Sequence, residues 1–197
     1  RRVRALRFPT FPAPVAAREN PLLTKSTLPF QAPPFDKIQV SDYQPAIEEG
    51  MKQQLAEIAA IAGASAPPTF ANTIEAMERS GELLTRSYKV FLNVEHSDTN
   101  PDLQKIKAAL APKISAHNDA IYMNPKLYAR VQAIYDKRDS LGLDAEAKYL
   151  VERDRLLFVR GHPVLQAVAL GVGQRRQHHV VVDPLSRVAA AGLIDDL

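Results

Sequence analysis

The five histidines of this sequence are the residues whose chemistry is most readily judged by spacing: His96, His117, His162, His178 and His179. A zinc peptidase needs two histidines four residues apart on one helix, with a glutamate beside the first that activates water. No pair here is four apart, and no histidine is followed by glutamate. The absence of cysteine excludes thiolate ligands, disulfides and a cysteine nucleophile. The sequence therefore predicts no catalytic, no metal-binding and no cofactor-binding residue.

Other patterns that could carry chemistry are incomplete as well. His178 and His179 are adjacent, so their side chains diverge on a regular helix or strand. His117 falls on an apolar helix face, which is typical of a hydrogen-bonded core histidine, and His96 beside Glu95 is typical of a solvated helix end. Gly171 and Gly173 are a fragment of a dinucleotide-binding loop, with Arg176 in place of the third glycine.

The distribution of charge argues against a nucleic-acid-binding face. The net charge is +3, yet five arginines supply +5 within the first 18 residues, which leaves the remaining sequence at −2. A basic arm on a slightly acidic body is not a basic binding surface. No apolar run reaches the roughly 18 residues that a membrane span needs. We therefore expect neither nucleic acid nor a membrane span.

The beginning of the chain is rich in proline. Seven of the fifteen prolines lie within residues 1–37, and proline removes a backbone donor and disfavours helix at the preceding residue. We interpret residues 1–19 as a basic flexible arm and residues 20–40 as an extended proline-rich segment. The segment carries apolar side chains that we expect to lie across a surface: Leu22, Leu23, Leu28, Phe30 and Phe35. The arm resembles a signal peptide only faintly, so a cytoplasmic or periplasmic location stays undecided.

The middle of the chain, residues 41–160, shows the pattern of amphipathic helices. Apolar residues recur at three-four spacing over residues 47–62, 74–91, 103–121 and 127–135, and a further segment begins at Asp144. The connections are short and no alternating strand pattern occurs among them. The sequence therefore predicts an all-α fold of antiparallel amphipathic helices.

Capping residues and breakers suggest where these helices begin and end. We expect Ser41, with Gln44, to cap the first helix, and Asn72 to cap a second helix that continues through Gly81. We expect Pro112 to kink the next helix or divide it near Ala111. Pro45 fits only within the first turn of its helix, where a missing N–H costs little.

The tail over residues 161–197 has a different character, with glycines, prolines and unpatterned apolar runs. We interpret it as a divergent tail that arose from a shifted reading frame or from an insertion before a truncated end. The loss of helical patterning favours a frameshift.

Ordered segments over about residues 20–153 are similar to one protein family. They are Asn20–Leu23 (NPLL), Ser26–Phe30 (STLPF), Pro34–Ile38 (PFDKI), Tyr43–Gly50 (YQPAIEEG), Pro68–Thr73 (PTFANT), Ile74–Gly81 (IEAMERSG), Asp119–Tyr122 (DAIY) and Ser140–Asp144 (SLGLD). As a set they resemble the start of bacterial peptidyl-dipeptidases, or dipeptidyl carboxypeptidases, of the thimet oligopeptidase and neurolysin family of zinc metallopeptidases.

The resemblance implies the N-terminal helical part of a two-lobed peptidase with a deep substrate channel. Members of the family cleave short peptides, and the peptidyl-dipeptidases release C-terminal dipeptides. Their zinc lies on a His-Glu-x-x-His helix far along the chain, with no counterpart here. The resemblance thus implies that zinc is the family's cofactor and that this chain binds none. It also implies that the partner of this chain is a missing catalytic lobe. A stand-alone helical module that binds peptides or a protein without catalysis is the alternative.

Without the second lobe, the helices would leave apolar residues uncovered. We expect residues such as Leu84, Tyr88 and Phe91 to be partly exposed and to favour self-association.

The purified 197-residue chain should neither bind zinc tightly nor hydrolyse peptides, because structural or catalytic zinc needs three or four convergent ligands. Metal content and dipeptide release in the presence of added zinc check this prediction. Stoichiometric zinc together with turnover above background would contradict it.

Overall fold

The helical pattern of the sequence is realised in a computed structural model that describes residues 18–161. Six α-helices form within this range: α1 (Val40–Gly63), α2 (Ala76–Arg79), α3 (Glu82–Ser97), α4 (Pro101–Tyr122), α5 (Pro125–Tyr135) and α6 (Ala145–Gly161). A π-helix, Phe70–Glu75, precedes α2, and a 3-10 turn, Pro29–Gln31, lies in the N-terminal segment. No strand occurs among residues 18–161, so the all-α prediction is confirmed. His162, His178, His179 and the Gly171–Gly173 fragment lie outside the described residues.

Helix α1 runs past two hydrophobic cores. The first core joins the beginning of α1 to α3 and to the first part of α4, and its largest fully buried side chain is Phe91. The second core joins the end of α1 to Ile74, the end of α4, α5 and α6, and is centred on Phe158. One helix of 24 residues thus connects both halves of the described region.

The two helices of the first core approach most closely at Gly50. A Cβ on this residue would lie 2.6 Å from both the Cα and the backbone N of Leu84. The α1–α3 contact is therefore formed by backbone atoms, and no other residue fits there without movement of one helix.

Helix α1 begins earlier than expected from Ser41. Its first residue is Val40, and the Gln39 N–H donates to Asp42 Oδ2 at 2.7 Å. The expected cap at Ser41 is wrong because the carboxylate of Asp42 satisfies the free backbone donor. Pro45 is consequently the sixth residue of α1 and lies in the second turn, so the expectation that it fits only within the first turn is wrong.

The cap of the second helical segment is Thr69. Its N–H donates to Asn72 Oδ1 at 2.8 Å, and its Oγ1 accepts from the Asn72 N–H at 3.1 Å. Asn72 is thus the third residue of a reciprocal capping box, so its expected role as the cap is wrong.

The expected continuous helix through Gly81 is also wrong. Helix α2 ends at Arg79, and Gly81 adopts a φ of 74°, a left-handed conformation that glycine accepts at little cost. The Gly81 N–H donates to Glu57 Oε2 at 2.7 Å, which satisfies it outside a helix. The chain therefore turns at Gly81 and starts α3 in a new direction.

Helix α4 continues through Pro112 without dividing. Both Pro112 and Ala108, whose carbonyl loses its helical donor, are exposed, so water can satisfy that carbonyl. Of the two expected effects of Pro112, a kink or a division near Ala111, the division is wrong for this reason. Helices α4 and α5 each begin at an Asn–Pro pair, and Asn100 Oδ1 and Asn124 Oδ1 each accept two backbone N–H groups at 3.0–3.1 Å.

The solvent exposure of the apolar side chains differs from the expectation both on α3 and in the proline-rich segment. Leu84, Tyr88 and Phe91 are buried in the first core, so their expected exposure is wrong, because α1, α4 and Leu22 already cover them. In the proline-rich segment only Leu22 is buried. The other four apolar residues that were expected to lie across a surface are exposed, and these are Leu23, Leu28, Phe30 and Phe35.

Replacing Gly50 by alanine should lower the free energy of unfolding by about 2 kcal/mol, because the new methyl group forces α1 and α3 apart. At Gly63, the last residue of the same helix, a Cβ would meet no packing neighbour within 4 Å. Gly63→Ala is therefore the matched control and should leave stability unchanged or raise it by up to about 1 kcal/mol. Urea unfolding of both variants measures the difference, and equal effects would contradict the close-contact interpretation.

Candidate functional site

His117 is a core histidine, as its position on the apolar face predicts. It is buried, and its Nε2 lies 2.7 Å from Gln54 Oε1, which makes Nε2 the donor. Gln54 Nε2 in turn donates to Ser80 Oγ at 3.3 Å. Burial lowers the pKa of His117 to about 4, so its imidazole is neutral at pH 7. This side chain ties α4 to α1 and to the turn before α3.

His96 lies at the end of α3, where the sequence places a solvated helix terminus. Its side chain is mostly exposed, and Nε2 lies 3.5 Å from Glu95 Oε2. The same carboxylate oxygen, which is buried, accepts a hydrogen bond from Lys107 Nζ at 2.9 Å. The described histidines thus lie in separate places, and the structure does not bring them together.

Arg130 on α5 binds the connection between α1 and the π-helix. Its guanidinium donates to the carbonyls of Ala64 and Ala66 at 3.1 and 3.0 Å, to Asn72 Oδ1 at 2.9 Å and to Thr73 Oγ1 at 3.2 Å. Carbonyl groups at the end of a helix need such donors when the end is covered. Arg130 therefore holds the loop after α1 against α5.

A second polar cluster links α6 to α2. Asp154 is 2% exposed, and its Oδ1 accepts from Arg153 Nε and Nη2 at 3.2 and 2.9 Å. Arg153 also pairs with Glu78, while Asp154 Oδ2 has no hydrogen-bond partner among the described residues. Burial raises the pKa of Asp154 to about 6 and raises the pKa of the nearby Tyr122 phenol.

Arg130 and Asp154 are polar centres that the motifs of the sequence do not identify, although the apolar spacing carries a signal for both. Each stands within an apolar helical stripe, Arg130 within residues 127–134 and Asp154 within residues 151–158. A charged residue on a buried face is paired in most proteins. The stripe predicts the burial, but the partners come from distant parts of the chain.

A shallow cavity of about 370 Å³ lies beside the start of α1. It is lined by Arg18, Glu19, Pro21, Asp36, Lys37 and Gln39. Within residues 18–161 no group of three or more histidine, aspartate or glutamate residues is arranged to hold a metal ion. In the same part of the chain, every helix is too short or too polar to span a lipid bilayer.

Sequence comparison finds similarity to part of two bacterial peptidases. Over 133 residues the chain is a homologue of bacterial dipeptidyl carboxypeptidases, which confirms its resemblance to the start of bacterial peptidyl-dipeptidases. It is 48% identical to the dipeptidyl carboxypeptidase of Escherichia coli and 45% identical to that of Salmonella typhimurium. The alignment covers 68% of this chain and 20% of each relative, so the chain spans about a fifth of the relatives' length. No protein-family model matches the sequence.

Asp154 and His117 give the folding stability opposite pH dependences. The pKa of Asp154 rises from 3.8 to about 6, so over this range the folded state keeps a proton that the unfolded state has lost. Stability due to Asp154 therefore falls as the pH rises. The pKa of His117 falls from 6.5 to about 4, so the unfolded state binds the extra proton and stability rises with pH.

Removing one of these two groups should leave the pH dependence that the other gives to the folding stability. The free energy of unfolding of Asp154→Asn minus that of the wild type should rise by roughly 3 kcal/mol as the pH increases from about 4 to about 6.5. For His117→Gln, the same difference should fall by a similar amount over this pH range. Urea unfolding across this pH range measures both differences, and each variant is the other's control. Two variants with the same pH slope as the wild type would contradict the assignment.

Proposed function

We propose that this chain is the N-terminal, channel-wall part of a zinc-dependent peptidyl-dipeptidase that releases C-terminal dipeptides from short peptides. The observation that carries the proposal is the 48% identity over 133 residues to a dipeptidyl carboxypeptidase. Identity at this level over a region of this length supports a common fold and a common position in the enzyme. In this proposal the chain forms part of the channel wall, and the catalytic residues belong to other parts of the peptidase.

The polar clusters of the described residues support this division of roles. His117, Arg130 and Asp154 each bond to groups that fix one helix or loop against another. None of these contacts pairs a nucleophile with a base in an open site, as covalent or general-base catalysis requires.

The described residues do not fit a zinc site, because no three suitable ligands converge within residues 18–161. In the proposed enzyme, zinc and its ligands belong to the larger part of the peptidase that has no counterpart in this chain. The helices described here would act by shaping and closing the channel, since fixed walls hold a peptide in one orientation for cleavage.

A stand-alone helical binding module is the second candidate. It is favoured by the exposed apolar side chains of the N-terminal segment, which include Leu28, Phe30 and Phe35. Exposed apolar groups on a rigid surface fit a protein partner as well as they fit another part of the same enzyme.

A chimera tests the proposed function directly. The 133 aligned residues of this chain replace their equivalents in the E. coli dipeptidyl carboxypeptidase, and release of C-terminal dipeptides from a short peptide is measured. We expect activity within about tenfold of the parent enzyme, because a homologous wall should change transition-state stabilisation by no more than about 1.4 kcal/mol in kcat/KM. The parent enzyme without the aligned region is the control and should be inactive. A folded but inactive chimera would reject the proposal and favour the binding module.

A further inference from the structure

The segment before α1 is a closed loop, residues 18–37, which we call the N-terminal loop. At its base, Arg18 Nη1 donates to the Lys37 carbonyl at 3.0 Å, and the Arg18 guanidinium pairs with the buried Asp42 carboxylate. Asn20 Nδ2 donates to the Asp42 carbonyl at 2.9 Å. These contacts bring the two ends of the loop together on the first turn of α1.

The first half of the loop is also attached to α3. Leu22 is 3% exposed within the first core, and its carbonyl accepts from Arg86 Nη2 at 3.0 Å. Lys25 Nζ lies 2.6 Å from Glu82 Oε1. The loop is therefore attached to the helices at its base and along residues 20–25. We call the part between these attachments the tip.

The tip, residues 26–35, presents apolar side chains to solvent. Phe30 is 104% exposed, Phe35 54% and Leu28 45%. No charged residue lies in the tip. Phe30 and Gln31 have φ values of 57° and 56°, a left-handed conformation that costs free energy in residues other than glycine. Nothing in the described part of the chain covers the Phe30 ring.

The tip is also stiff. It contains Pro29, Pro33 and Pro34, and each fixes its own φ angle. A segment that is rigid before association loses little conformational entropy on binding. An exposed aromatic ring on a rigid support has the properties of an anchor residue at a protein interface.

We propose that the tip docks into an apolar hollow on the remaining, catalytic part of the peptidase, with Phe30 as the anchor. The inference rests on the proposed function. The aligned region is only 20% of each relative, so a large partner surface belongs to the same enzyme. The absence of lysine and arginine from the tip disfavours a lipid surface, which basic residues recognise.

The sequence contains no cysteine, so a single cysteine at Gln31 reports coverage of the tip while leaving Phe30 in place. Gln31→Cys is made in the isolated chain and in the chimera with the E. coli enzyme, and maleimide labelling of that site is followed by mass spectrometry. We expect labelling at least about tenfold slower in the chimera than in the isolated chain, because a docked anchor excludes the reagent.

Two second-site variants distinguish docking from general crowding. Adding Phe30→Ser to Gln31→Cys should restore fast labelling in the chimera, because the anchor is lost. Adding Leu23→Ser, which changes an exposed apolar residue outside the tip, should leave the site protected. In the isolated chain, both double variants should label as fast as Gln31→Cys alone.

The outcomes separate this inference from the function on which it rests. An active chimera whose Gln31→Cys site labels as fast as the isolated chain would overturn the docking proposal and leave the proposed function standing. A folded, inactive chimera would reject both. If labelling of the isolated chain slows as its own concentration increases, a second copy covers the tip and the proposal is wrong.

Discussion

The backbone contact between α1 and α3 at Gly50 determines how the first core forms. Because a Cβ would lie 2.6 Å from the Leu84 backbone, the absence of a side chain allows the two helices to touch. Their neighbouring apolar side chains then pack together, and Ile47 and Phe91 are completely buried. Close packing also fixes the direction of α1, whose far end must reach the second core. The position of α5 and α6 thus depends indirectly on one glycine.

Buried polar groups give the second half of the molecule its specificity. Apolar contacts among α4, α5 and α6 are numerous but non-directional, whereas Arg130 satisfies particular carbonyls of the loop after α1. Asp154 reaches α2 through Arg153 and Glu78. Removing one member of such a network leaves a buried group unpaired, which costs about 1–3 kcal/mol. Charged residues on buried faces therefore select one arrangement among many that bury similar area.

Most of the fold follows from the sequence, because its determinants are local. The apolar spacing gives the helices, and Asn100 and Asn124 cap them through atoms two or three residues away. Two of the failures, at Gly81 and at Pro112, need information from beyond the local sequence. Gly81 leaves the helix because Glu57, 24 residues earlier, accepts its N–H, and the continuity of α4 at Pro112 depends on which side faces water. The partners of Arg130 are likewise 57 to 66 residues away.

Dependence on distant contacts is also why the sequence does not distinguish the tip as a surface. In a helix, the repeat of apolar residues shows which face is buried, and the structure follows it. In the proline-rich loop no repeat exists, so Leu22 and Phe30 look equivalent in the sequence although one is buried and the other fully exposed. The difference arises from Arg18 and Arg86, whose contacts hold the loop by its base and leave its end free. Surfaces for association are thus hardest to predict where irregular segments are fixed by side chains far away in sequence.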